Sequence, residues 1–218
     1  EAMDRFGSDK PDTRWAQEIV DVGDIFAGTE FKVFRGALDS GGVVRALNAK
    51  GLAKITTGQI EELTEMAKQF GAKGLAFIKC ENGEWKSPIV KFFTDAEKAA
   101  LQERLKMEEG DLVLFGADKW EIVCEVLGRV RLRAVELIGL THDPKRLDFL
   151  WVVDFPLLAW SDEEQKWNAV HHPFTRPKAE DLPLLEAKKY AEVRAEAYDI
   201  VLNGVEIGGG SIRIHEAD

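Results

Sequence analysis

The residues with the clearest chemical potential stand near the end of the sequence, in Val205–His215, VEIGGGSIRIH. Three consecutive glycines sit between two strand-like runs, with Glu206 before them and Ser211, Arg213 and His215 after. Glycine weakens a strand interior, and it marks either a bulge or a place where a ligand lies against the backbone. In SIRIH the polar residues alternate with Ile212 and Ile214, so one face is apolar and the other presents a guanidinium. On a central strand, a guanidinium beside bare backbone suits a small anionic ligand. A bulge or twist relief with no ligand is the plainer account of the same glycines. Parity raises a difficulty, because Glu206 shares its phase with Ile212 and Ile214 rather than with Arg213. In a regular strand Glu206 and Arg213 face opposite sides. For both to serve one ligand, the register must slip by one across Gly208–Gly210, which a β-bulge achieves.

His171–His172, in AVHHPFT, is the next constellation. Adjacent residues of an extended chain point opposite ways, so at most one of the pair faces a given site. A metal centre would need His142, His215 or carboxylates as further ligands, and no HExxH or CxxC spacing supports it. One histidine donating a hydrogen bond to an anion fits better, beside the alternative of a histidine satisfied in the core. Asp154 interrupts the apolar run VVDFPLL, and a buried carboxylate requires a partner or a cation. Structural pairing is the default there. In GSDKPD, Lys10 could bind phosphate, but a turn with a surface lysine accounts for the spacing more simply. The sequence has no GxSxG, P-loop or GxGxxG.

An α+β stretch runs from Glu30 to Cys124. FKVFRG and VVRALNA are predicted strands around a Gly41–Gly42 turn. Thr56 with Gln59, and Thr94 with Glu97, form capping-box patterns ahead of two helices. GLAFIKCE is a predicted strand closed by an Asn82–Gly83 turn. LVLFGA is another strand, and WEIVCEVLGRVRLRAVELIG a long amphipathic helix weakened at Gly128. After the polar LTHDPKRLD, the run FLWVVDFPLLAW reads as a strand buried on both faces. Residues 179–197 read as helical, and YDIVL-NG-VEIGG as a hairpin.

The 218 residues carry a net charge of −10 and an apolar fraction of 45%. That fraction supplies a globular core. The acidic balance gives no general basic surface for a polyanion, so a nucleic acid would be met by a local patch or by parts outside this chain. No apolar run is long enough for a membrane span. Cys80 and Cys124 lie in apolar stretches without metal-like spacing and read as buried, reduced thiols of a cytosolic protein.

Three segments together go further: EAMDRFGSDKPDTR, DFPLL…VHHPFTRP and AYDIVLNGVEIGGGSIRIH. In this order and spacing, they make the whole chain resemble the bacterial-type aspartyl-tRNA synthetases. The resemblance implies an α+β fold: a class II synthetase-type antiparallel sheet with helices, here partial, interrupted by an α+β insertion domain. It implies catalytic-domain segments at 1–29 and 125–218 around an insertion at 30–124. It also implies ATP-dependent ligation of L-aspartate to tRNA through aspartyl-adenylate, ATP and Mg as substrate and cofactor, a cytoplasmic homodimeric parent and no membrane. By position, Arg213 and His171 match residues that bind aspartate. Glu206 matches one that contacts ATP and is placed to help hold Mg. Gly208, Gly209 and Gly210 floor the pocket by inference from the strand. No side-chain nucleophile is assigned, because the chemistry is electrostatic. The alternatives are a non-catalytic tRNA- or protein-binding module built on the insertion domain, and an amidotransferase subunit sharing that module. Neither needs HHPFT or GGGSIRIH.

The resemblance leaves the anticodon-binding barrel, the dimer motif and two ATP-binding arginines outside these 218 residues. The isolated chain is therefore expected to show no aspartate-dependent pyrophosphate exchange, and detectable exchange by the purified chain would refute this.

Overall fold

The computed structural model describes residues 1–139 and 141–215. They pack as two units: Glu1–Asp9 with Arg14–Arg146, and Lys10–Thr13 with the residues from Leu147 onward.

In the first unit the elements follow as α1 (Ala2–Phe6), β1 (Ile19–Asp21), α2 (Lys32–Asp39), β2 (Val43–Ala49), α3 (Thr57–Gln69), β3 (Ala76–Glu81), β4 (Glu84–Lys86), α4 (Asp95–Leu105), β5 (Leu112–Asp118) and α5 (Trp120–Ile138). The strands form one antiparallel sheet in the order β1-β2-β5-β3-β4. Alternation along β2 and β5 feeds two cores. Leu47, Leu112 and Leu114 pack with Leu63 of α3 and Leu127 of α5. Val44, Val113 and Phe115 pack with Phe34 of α2 and Leu101 of α4. Both capping boxes form, Thr56 with Gln59 and Thr94 with Glu97. Asn82 and Gly83 both take positive φ, as the tight β3–β4 turn requires. Burial, aided by Asp111 and Glu109, pushes the Cys80 thiol up to about 11, and both cysteines are free and buried.

FKVFRG is not a strand. Its residues open α2, because Phe31, Phe34 and Leu38 then share one face against the sheet. Gly128 is not a weak point either: a Cβ there would meet the backbone of Gly7, with its Cα 2.9 Å away, so glycine is what lets α1 cross α5 closely. The boundaries expected at 29/30 and 124/125 do not coincide with the packing units, since α1, β1 and all of α5 pack together in the first. Among the described residues no helix is long and apolar enough to cross a membrane.

The second unit holds β6 (Phe149–Val153), β7 (Leu158–Ser161), β8 (Lys166–Ala169), α6 (Leu182–Glu186), β9 (Ala197–Leu202) and β10 (Val205–Ser211). Its strands form an antiparallel three-stranded sheet, β10-β9-β6, and a β7-β8 hairpin. The run FLWVVDFPLLAW is therefore two strands, broken where Asp154 takes φ 61°. Nor is β6 buried on both faces: Phe149, Trp151 and Val153 are exposed. Residues 179–197 yield only the short α6 and two single 3₁₀ turns, as Pro183 and the left-handed Lys188 prevent a long helix.

Asp111, only 2% exposed, ties the β2–β3–β5 end of the first unit together. Its carboxylate accepts from Lys50 Nζ (2.9 Å), Asn48 Nδ2 (3.0 Å) and the amides of Glu108 (2.9 Å) and Gly51 (3.2 Å). Burial alone would raise its pKa, but these donors outweigh it and hold the carboxyl below its ordinary value. A depressed folded pKa contributes stability above the unfolded value that is lost as pH falls through the folded one. Asp111→Asn is expected to lower stability at neutral pH by about 1–3 kcal/mol. The deficit should narrow as pH falls below about 4, and denaturant melts across that range check both statements.

Candidate functional site

The candidate site is built on the hairpin of β9 and β10. Asn203 (φ 51°) and Gly204 (φ 84°) make its two-residue turn. Val205 pairs with Leu202 and Glu206 with Val201, but Gly208, not Ile207, pairs with Ile200. From there Gly209 faces Asp199, Gly210 faces Tyr198 and Ser211 faces Ala197. Ile207 is thus the extra residue of a β-bulge, one position before the glycine run. The slip carries Glu206 onto the face of Gly209, Ser211 and Arg213, which alternation alone would deny it.

The continuous strand expected through His215 stops at Ser211, and Arg213 continues in a single bridge to Thr175. Among the described residues β10 is the edge of its sheet rather than a central strand. Arg213 is held by that bridge. Its Nη1 donates to Thr175 Oγ1 (3.1 Å), and the Thr175 hydroxyl lies 3.3 Å from Ser211 Oγ, to which it donates. Thr175 is 3% exposed, so the chain of bonds is fixed at its root.

A cavity of about 300 Å³ opens on this face. Its polar lining is His171, His172, Asp199, Glu206, Ser211 and Arg213, over Gly209 and Gly210. Both histidines contribute, contrary to the expectation from an extended pair, because the chain bends at His171. The His171 ring stands edge-on to Phe155, with centroids 4.4 Å apart, and His172 Nδ1 accepts from the Phe174 amide at 3.1 Å. Lys10 reaches the site from a distant part of the sequence, with Nζ 3.5 Å from Glu206 Oε2. Asp154 is not part of it; its carboxylate pairs with Lys178 and with Arg194 at 3.8 Å. His142 meets Trp15 edge-on and bonds Arg14 in the other unit. Among the described residues no three His, Cys, Asp or Glu side chains gather as a metal cluster.

Asp199, a carboxylate inside the apolar strand YDIVL, is a candidate functional residue missing from the motifs above, although its sequence signal is of the same kind as that of Asp154. It is 8% exposed and faces the cavity. It also explains the central glycine, since a Cβ at Gly209 would collide with Asp199 Oδ1. A Cβ at Gly210 would press on the Tyr198 ring, with Oη at 2.9 Å. Gly208, expected to floor the pocket, is not in its lining, and a Cβ there would make only an ordinary 3.5 Å contact with Ile200. Gly209→Ala is therefore expected to cost about 1–3 kcal/mol of stability, and Gly208→Ala no more than about 0.5 kcal/mol. Equal losses for the two in thermal or denaturant melts would contradict this geometry.

Residues 34–127 match the GAD domain family. The chain is 50% identical to an aspartate–tRNA(Asp/Asn) ligase of Opitutus terrae, over 99% of this chain and 37% of that protein. It is 53% identical to another of Methylacidiphilum infernorum, over 100% of this chain and 36% of that protein. It is 52% identical to an aspartate–tRNA ligase of Geobacillus kaustophilus, over 100% and 37% respectively. The chain spans little more than a third of the length of these curated relatives. Over its whole length the chain is thus similar to aspartate–tRNA ligases, and the GAD match lies within that span.

Proposed function

We propose that this chain supplies the β9–β10 half of the active site in a longer, cytoplasmic, homodimeric parent that joins L-aspartate to tRNA through aspartyl-adenylate. The observation that carries the reading is the convergence of Glu206 and Arg213 on one cavity wall through the bulge at Ile207. Alongside it stands the similarity of the whole chain to the ligases.

In this reading Arg213 forks onto the side-chain carboxylate of aspartate. The Thr175–Ser211 hydroxyls hold its guanidinium in place, and His171 donates to the same substrate. Asparagine is rejected because an amide cannot meet a charged bidentate donor, which would be left unmatched. The α-carboxylate oxygen of aspartate attacks the α-phosphorus of ATP, and the bond to the bridging oxygen breaks, releasing pyrophosphate. Two anions approach one another, so the protein's task is to supply positive charge and fixed donors rather than a nucleophile.

Glu206 and Asp199 are both oxygen donors on the cavity wall. One or two carboxylates completed by substrate phosphates is a donor set that suits Mg, a hard cation. These two would hold it, and when bound it neutralises charge on the phosphate oxygens. The second step moves the aspartyl group from the adenylate to a ribose hydroxyl at the tRNA end, releasing AMP.

A binding module without catalysis is supported only by the GAD match at residues 34–127, and it leaves the cavity residues without a purpose. Arg213→Leu in the full-length parent tests the proposal. Aspartate-dependent pyrophosphate exchange should fall by about a hundredfold or more, with the unfolding temperature unchanged. Exchange at the wild-type level would overturn the assignment of Arg213.

A further inference from the structure

Lys10 belongs to a stretch of four residues, Lys10–Thr13, that packs with the second unit while its chain neighbours on both sides pack with the first. Pro11 and Asp12 are buried. Asp12 lies against Gly204 of the β9–β10 turn, where even a methyl group on the glycine would sit 3.1 Å from Asp12 Cβ. Thr13 Oγ1 donates to Asp148 Oδ2 at 3.3 Å, and the Asp148 amide donates to Asn203 Oδ1 at 3.0 Å, in the same turn. The stretch is thus fastened to the turn only two residues before Glu206. Proline at 11 restricts the backbone from which the lysine side chain leaves.

That side chain ends 3.5 Å from Glu206 Oε2. Lys10 is 37% exposed and Glu206 40%, and an ion pair so open to water contributes little to stability. Its value lies in where it puts charge. Glu206 and Asp199 line the same cavity and would both repel a triphosphate. An ammonium group carries three donors, so it can keep one on a carboxylate and turn the others to phosphate oxygens.

On the reading of this cavity as the nucleotide site, we infer that Lys10 is a positioning residue for ATP: its ammonium orients the Glu206 carboxylate and presents positive charge to the polyphosphate. A lysine that merely decorated a turn would leave nucleotide affinity untouched.

The test uses the full-length parent with Lys10→Met and Lys10→Arg. ATP binding is measured by calorimetry with and without Mg, and pyrophosphate exchange is titrated separately in ATP and in aspartate. Lys10→Met should weaken ATP binding and raise the ATP KM by about tenfold. The aspartate KM and the unfolding temperature should hold, and Lys10→Arg should recover most of the loss. If the wild-type parent exchanges pyrophosphate but Lys10→Met binds ATP with unchanged affinity, the inference is overturned and the reading of the site stands. If the wild-type parent neither binds ATP nor exchanges, both fall together.

Discussion

Side chains along a strand alternate between faces, and everything in the candidate site answers to that rule. Seven positions separate Glu206 from Arg213, an odd number, so a regular strand would split them across the sheet. The bulge at Ile207 absorbs one residue and restores them to one face. Every polar group lining the cavity from β9 and β10 then comes into phase: Asp199, Glu206 and Ser211, with Arg213 beyond the strand end. A single inserted residue thus converts a strand with charge on both sides into a wall with charge on one.

The glycines acquire a more specific cause than room for a ligand. Gly209 is fixed by the carboxylate of Asp199 on the neighbouring strand, and Gly210 by the ring of Tyr198. Asp199 fills the space that Gly209 leaves open on the cavity side, while Tyr198 fills that of Gly210 on the opposite face. Gly208 answers to neither neighbour in this way. Arg213 shows the same economy, since Thr175 and Ser211 hold it through hydroxyls rather than through a carboxylate that would neutralise it.

Much of this was legible in the residues because the signals were local. Capping boxes at Thr56 and Thr94, the Asn-Gly turns and the long α5 follow from a few neighbouring side chains. The need for a slip near the glycines followed from parity alone. What was not legible depended on distant partners. FKVFRG has strand-like composition, yet helix packing against β2 and β5 decides its form. Gly128 reads as a flaw until Gly7 is brought against it. His171 and His172 both reach the cavity because the chain bends there, and a bend carries no periodic signature. Lys10 lies nearly two hundred positions from Glu206, beyond any spacing argument.

The opposite face of the β6–β9–β10 sheet is apolar as well as exposed, and this governs how the molecule behaves in solution. Phe149, Trp151 and Val153 on β6 lie beside Tyr198 on β9 and Val205 on β10, and Trp151 is 61% exposed. Patches of this kind favour self-association, and β10 adds the unpaired backbone of a sheet edge among the described residues. The opposing influence is the net charge of −10, whose long-range repulsion keeps copies apart only while counterions are scarce. Colloidal behaviour of the isolated chain is therefore set by ionic strength: dilute buffer preserves separate molecules, and added salt uncovers the adhesive side of the sheet.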